Sequence, residues 1–322
     1  MPPSHARARN KPSTAASLVL AFASLYFFWG STYTAISIGG AEMPALLFGA
    51  ARFLIAGAIL LAACAVIGLR IFWAPRDMAI TALVGIFLLS GSNVALIYAE
   101  QHIPSGLASL ISACIPLLIA IAEMILPHGE PLPLRGWLGL GLGFAGLAVL
   151  LSPSLHSGLH GDTPRLIAIG VLLFGCTCWT IGTVIGRRAR LQMNSFVGAA
   201  WQMFAAGVVN LLLGTACDQW PAFHPSSRGL LSIAYLVVGG SLLGYTSFVY
   251  LIERVPIAKV ASYAYVNPVI AVLLGIVILR ERPAAAEFLG MAAILVAVFL
   301  ITTARVRAKS TSAPDLDQLP AE

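Results

Sequence analysis

Long apolar runs, separated by short clusters of Pro, Gly and charge, divide the chain into ten segments. The first five cover residues 18–38, 45–67, 78–98, 106–126 and 136–151, and the second five cover 166–185, 196–216, 230–251, 258–279 and 288–304. A helix needs about 20 apolar residues to cross the hydrocarbon core of a bilayer, and most of these runs reach that length. The fifth is short, and Gly136, Gly139, Gly141, Gly143 and Gly146 blur its boundaries. Loop chemistry concentrates between the runs, at residues 70–77, 127–133 and 152–164. The polar tails, 1–17 and 305–322, are expected to be disordered.

The pattern repeats. Tyr98, Pro104, Pro116 and Pro131 recur as Tyr250, Pro256, Pro268 and Pro283, at a constant offset of 152 residues. Further upstream, with small gaps, Gly49-Ala-Ala matches Gly198-Ala-Ala and Trp29 matches Trp179. Proline is costly inside a helix, so the same costly residue at the same spacing indicates duplication. Each copy holds five spans, an odd number, so the second enters the membrane from the opposite side. The predicted fold is an all-α integral membrane protein of ten transmembrane helices, arranged as two inverted five-helix repeats. Residues 18–151 form the first repeat, 152–165 a linker and 166–304 the second repeat.

Composition agrees with a membrane solvent. The chain is 59% hydrophobic and 10% charged, against about 25% charged residues in an ordinary soluble domain. The 322 residues are therefore read as one polytopic bundle. Cysteine offers no framework, since Cys64, Cys114, Cys176 and Cys178 lie inside apolar spans and only Cys217 is near a loop. Charge sets the orientation. With the N-terminus inside, 14 Lys and Arg lie on the cytoplasmic side and 4 on the outside, with Arg52 left within a span. Basic residues in short loops favour the cytoplasm, so both termini are predicted to be cytoplasmic. The net charge of +6 is then a topology signal and a match to anionic lipid, not a nucleic-acid footprint. A cleavable signal peptide is the rival for the first run, with Gly39-x-Ala41 as its cleavage site. That run is too long for one, and cleavage would delete a partner of the Trp29/Trp179 match.

Several stretches resemble a known family. Trp29-Gly-Ser-Thr-Tyr, Gly49-Ala-Ala-Arg-Phe, Ala99-Glu-Gln-His-Ile-Pro-Ser-Gly and Ser262-Tyr-Ala-Tyr-Val-Asn-Pro-Val-Ile-Ala-Val-Leu-Leu-Gly are similar to signatures of the EamA branch of the drug/metabolite transporter superfamily. The resemblance runs from about Leu18 to Ala304. It implies a bacterial inner-membrane permease that exports small metabolites, amino acids or drugs. It also implies a central cavity lined by the first, third and fourth helices of each unit.

Candidate chemistry lies on those helices. Ser105, Ser109, Ser112 and Pro116 share one face of the fourth span, and the mates are Ile257, Ala261, Ala264 and Pro268 on the ninth. Pro116 and Pro268 lack the amide protons that would bond the carbonyls of Ser112 and Ala264. The two faces either line a substrate path between kinked helices or form a packing seam of small residues. Arg52 either attracts an anionic group or snorkels outward toward Glu42. Asn267 has donors and acceptors that hydrocarbon cannot satisfy. Asn93 and its mate Tyr245 face the cavity or bond between helices. Trp29, Trp179, Tyr263 and Tyr265 offer flat surfaces to an amphipathic substrate. Glu100, His102 and Glu123 are candidates for proton coupling, against solvated positions near the span ends.

Enzyme motifs are missing from the sequence: there is no H-E-x-x-H, G-x-S-x-G or G-x-x-x-x-G-K. His156, His160 and Asp162 read as a solvated loop rather than a metal site, and no cofactor is expected. The expected partners are a small-molecule substrate and membrane lipids. A membrane-embedded enzyme or a structural bundle is the alternative, and duplication with inversion speaks against both.

Overall fold

The computed structural model describes residues 15–127, 134–159, 162–189, 191–252, 254–255, 260 and 263–311, and no strand occurs among them. Among the described residues, eight helices are long and apolar enough to cross a membrane. They are α1 (Ala15–Gly40), α2 (Ala45–Val66), α3 (Pro75–Glu100), α4 (Ser105–Ile125), α5 (Leu134–Leu159), α6 (Thr163–Arg188), α7 (Ser195–Ala216) and α8 (Ser227–Leu251). Two further helices follow, α9 (Tyr263–Leu274, extended by Gly275–Leu279) and α10 (Ala285–Thr311), whose apolar parts are the shorter stretches Val266–Leu279 and Ala285–Leu300.

Local chemistry fixes where the helices begin and end. Pro44, Pro75 and Pro104 stand at helix starts, where a missing amide proton costs nothing. Asp162, Asn194 and Ser226 cap α6, α7 and α8 through their side chains. Gly68, at φ 78°, takes the left-handed turn that ends α2. Polarity did not end α5. The helix runs on to Leu159, past the point where a loop was expected at 152, because Ser and His decide solvent exposure rather than helix termination.

The helices pair across the repeats. α2 packs on α7 and α5 on α10, while α1 lies against α8 and α9 and α6 lies against α3 and α4. Each repeat thus lends its first helix to the third and fourth helices of the other. Glycines set the closest approaches. A Cβ on Gly57 would fall 2.6 Å from the backbone N of Phe204, and one on Gly207 2.6 Å from that of Leu54. On the opposite flank, a Cβ on Gly290 would fall 2.8 Å from the carbonyl oxygen of Gly146. Small residues let backbones meet in lipid, where packing must do the work that water exclusion does elsewhere. Large apolar side chains such as Ile59, Phe174, Leu212 and Val277 remain on the outer surface, as a lipid solvent requires.

We call the end where α1 begins the near end and the opposite one the far end. At the far end, Gln101 Nε2 donates to the carbonyls of Gly40 and Met43 at 2.8 and 3.1 Å. The Glu42 carboxylate there accepts from the Ser226 hydroxyl and amide at 2.7 and 3.2 Å. At the near end, Arg187 and Arg188 pair with Glu123 at 3.3 and 3.5 Å, and Trp201 Nε1 donates to the carbonyl of Ile71 at 2.8 Å. Apart from the Gln101 contacts, all of these join one repeat to the other.

Candidate functional site

Three helices lose regular winding around the middle of the bundle. α4 breaks after Ser112 and resumes at Ile115, because Pro116 cannot donate to Ser112 and the chain tightens to Cys114 N–H donating to Ile111 O at 3.0 Å. α3 and α8 pass through π-helical turns at Ile86–Ser92 and Leu236–Tyr245. The two turns overlap under the repeat offset, and such turns carry carbonyls without their usual partners, which is why they gather at sites. α9, by contrast, stays helical through Pro268, so the break in winding occurs on α4 and not at the matching proline.

A cavity of about 130 Å³ opens between these irregular segments. Its walls come from α1, α3 and α4 of the first repeat and α6, α8 and α9 of the second, with Arg52 and Phe53 from α2 and Met203 from α7. Of the residues singled out from sequence, Trp29, Arg52, Asn93, Ser109, Ser112, Pro116, Trp179, Tyr245, Tyr263, Asn267 and Pro268 all line it. The side chain of Tyr265, and residues 257 and 261, lie outside the described residues. Ser105 is elsewhere: it is fully buried at the far end of α4 and binds the carboxylate of Glu281.

One wall is aromatic. The Trp29 ring lies 5.1 Å from Tyr263, 5.2 Å from Phe248 and 6.4 Å from Trp179, the first and last edge-to-face. Its Nε1 donates to the carbonyl of Gly240 at 3.2 Å, inside the π-helical turn of α8. Tyr245 donates to Gln202 Oε1 at 2.5 Å, which holds the ring upright against α7.

The facing wall is polar. Arg52 is 6% exposed; its Nε donates to Ser241 Oγ at 3.2 Å and its Nη1 to Asn93 Oδ1 at 3.4 Å. No carboxylate pairs with it among the described residues. The expected reach toward Glu42 does not occur, because that carboxylate is bound to Ser226. Gly240 leaves room for the guanidinium: a Cβ there would lie 3.0 Å from Nη2. The Asn267 carbonyl oxygen is buried without a partner. Ser109 and Ser112 donate to their own helix, at Gly106 O (2.7 Å) and Ala108 O (2.9 Å). Their lone pairs are the only groups they can offer the cavity.

The three acid–base candidates separate. Glu100 is buried at 6% exposure, and neither of its carboxylate oxygens has a partner. His102 is exposed, with Nδ1 3.0 Å from the Tyr98 carbonyl and its ring 4.8 Å from the Tyr98 ring. Glu123 is held between two arginines. His160 lies outside the described residues, and no group of metal-binding side chains occurs among the rest.

Sequence reasoning missed Tyr33, Ser92, Gly240 and Ser241, all on the cavity wall. The last three belong to Ser90-Gly91-Ser92 and Gly239-Gly240-Ser241, runs of small residues that permit the π-helical turns. That signal was present, though a packing seam has the same composition.

The sequence matches the profile of the EamA-like transporter family over residues 16–152 and again over 166–303. It is 35% identical over 303 residues to an uncharacterized inner membrane transporter, YedA, of Escherichia coli K12, covering 93% of this chain and 95% of that one. An uncharacterized transporter, YvbV, of Bacillus subtilis is 28% identical across 98% of this chain and its own full length. A WAT1-related chloroplastic protein of Arabidopsis thaliana is 28% identical over 86% of this chain and 67% of its own. The fold is shared with a protein of known crystal structure at a TM-score of 0.65 and 21% identity, covering 94% of this chain and 100% of that one. With two family units in tandem, a polytopic helical bundle and a polar cavity where the units meet, the chain is a membrane transporter of the EamA-like family.

Proposed function

We propose that this protein exports small organic solutes that carry an anionic group beside a flat apolar part, by alternating access and without covalent chemistry. The observation that supports this most directly is Arg52. A buried guanidinium is retained at a cost unless an opposite charge pairs with it, and its neighbours here are two neutral oxygens and the face of the Phe53 ring, 4.8 Å away. Nη2 has no acceptor among the described residues and lies beside Gly240 on the cavity wall. A carboxylate in the cavity would supply the missing charge, and the Trp29, Tyr263 and Trp179 rings stand ready for an apolar face. The unpartnered carbonyl of Asn267 adds an acceptor for a donor on the same solute. The inverted repeats provide two equivalent ways of closing around this site. The location is the bacterial inner membrane, as in the YedA relative, with the near end in the cytoplasm.

The test is a transport screen in sealed vesicles, using pairs of solutes that differ only in a carboxylate and its amide. Carboxylates should be transported and their amides should not. Equal transport of both members, or preference for cations, would remove Arg52 from the recognition chemistry.

A further inference from the structure

Two carboxylates lie at the far end, and among the described residues only one of them has hydrogen-bond partners. α9 ends in a π-helical turn, and Arg280, at φ 57°, swings the chain back so that the Glu281 amide donates to Gly275 O at 3.0 Å. This places the Glu281 carboxylate on the N-terminus of α4. It accepts from Ser105 N–H at 2.6 Å, Ser105 Oγ at 2.7 Å and Gly106 N–H at 3.0 Å. Three donors at the N-terminus of α4 fix this carboxylate in place. The contact joins a loop of the second repeat to the fourth helix of the first, so the far end cannot part there without breaking it.

Glu100 stands at the end of α3, one short loop before α4. It is 6% exposed, neither oxygen has a partner, and Glu281 is near enough to act on it by charge. Tyr33 of α1, which lines the central cavity, is also within charge reach of Glu100 and lies beside Ser112. His102 follows two residues on and is exposed. Arg165, Arg282 and Glu287 border the pocket around Glu281. Two ionised carboxylates within reach of each other's charge, one of them buried and without a hydrogen-bond partner among the described residues, would repel each other and carry an unpaid desolvation cost.

We propose that Glu100 is a proton-binding site that controls the far end: it holds a proton while that end is closed and gives it up to far-side water when that end opens. This rests on the transport reading above, since the event being controlled is access to the central cavity. The proton and far-end opening are then reciprocally linked. Raising the pH removes the proton, sets two negative charges against each other beside α4 and favours opening; lowering it favours closure. A proton gradient across the membrane would thereby bias the transport cycle.

No substrate is needed for the test. In a background lacking the other native cysteines, Ser112→Cys is paired with native Cys217, which is exposed and serves as an internal standard. A membrane-impermeant maleimide is added from either side of sealed vesicles, and labelling of the two sites is compared by mass spectrometry. Far-side labelling of position 112, relative to Cys217, should rise by about tenfold or more between about pH 5.5 and about pH 8.5. Glu100→Gln, a neutral mimic of the protonated acid, should leave it low and flat with pH. Glu281→Gln, which loosens the clasp, should leave it high throughout. His102→Gln should keep the wild-type slope. A flat wild-type profile, a wild-type slope in Glu100→Gln, or a slope lost in His102→Gln would each overturn the proton site while leaving the cavity intact. Labelling at position 112 from neither side, at any pH, would instead overturn the path itself. Labelled Cys217 shows in every case that the variant is inserted.

Discussion

Arg52 and Asn267 carry the sharpest residue-level expectations, because each brings to the cavity a polar group that the protein leaves unmatched. A hydrogen bond to a charged group contributes about 1.5–3 kcal/mol, so Arg52→Gln should weaken transport of an anionic solute by about ten- to a hundredfold, mainly in KM. Arg52→Lys keeps the charge and loses the planar fork that reaches Ser241 and Asn93 together, so it should recover only part of the loss. Full activity in both variants would return the guanidinium to a structural role. Asn267→Leu should lower transport while leaving the protein in the membrane, since its carbonyl oxygen supports no other group. Normal transport by that variant would make Asn267 a packing residue. Glu42 allows a pH expectation outside the spans. The Ser226 hydroxyl, followed by the Ser226 and Gly229 amides and Arg228, holds its carboxyl below the ordinary range. A depressed acid stabilises the fold above its unfolded value of about 4.3, and the contribution is lost as the pH falls through the lower folded value. Ser226→Ala should move the Glu42 titration, followed by carboxyl NMR, upward toward that ordinary value. An unmoved midpoint would mean that the hydroxyl is not the main cause.

At the level of elements, glycine position separates positions that tolerate a side chain from those that do not. Gly207 faces backbone atoms of Leu54 that cannot move aside, whereas Gly170 on α6 faces open space. Overpacking of this kind costs about 1–3 kcal/mol, so Gly207→Ala should lower the unfolding temperature in detergent while Gly170→Ala should not. Equal effects would mean that the α2–α7 seam yields more readily than its backbone contact indicates. The seams also show what a sequence can and cannot convey about elements. Proline positions and apolar lengths are local properties, so the spans and the α4 break at Pro116 were legible. The π-helical turns of α3 and α8 were not, because Ser-Gly-Ser and Gly-Gly-Ser fit a tight packing seam equally well. Glu281 was missed for a different reason. A carboxylate between two arginines in a loop reads as solvated, and only the left-handed turn at Arg280 brings it onto α4. At Pro268 the matching proline does not interrupt the helix as Pro116 does, since α9 keeps its winding past the missing amide.

For the whole molecule, orientation decides what the clasps at either end mean. The near end carries Glu123 between Arg187 and Arg188, and the far end carries the Glu42 and Glu281 contacts. Basic residues are therefore dense at one end, while acids capping helix N-termini mark the other. The duplication was readable in the sequence because inversion preserves spacing. The exchange of first helices between repeats was not, because nothing local to α1 says that it will rest on α8 and α9. The topology expected from the sequence rests on the division of Lys and Arg, 14 in the segments assigned to the cytoplasmic side against 4 in those assigned to the outside. Translocating a basic loop against the membrane potential is unfavourable, so the denser side is predicted to stay in the cytoplasm. A reporter active only in the oxidising periplasm, fused after Ala304, should give no signal, whereas one placed within 152–164 should be active. The second position is the more demanding, because α5 continues as helix to Leu159 and the insertion must not pull that helix out of its seam with α10. Insertions between Leu159 and Asp162, after α5 ends and ahead of the cap of α6, avoid that problem. If the two signals were reversed, the near end would face outward. The proton released by Glu100 would then enter the cytoplasm, and the direction proposed for transport would have to be reversed with it.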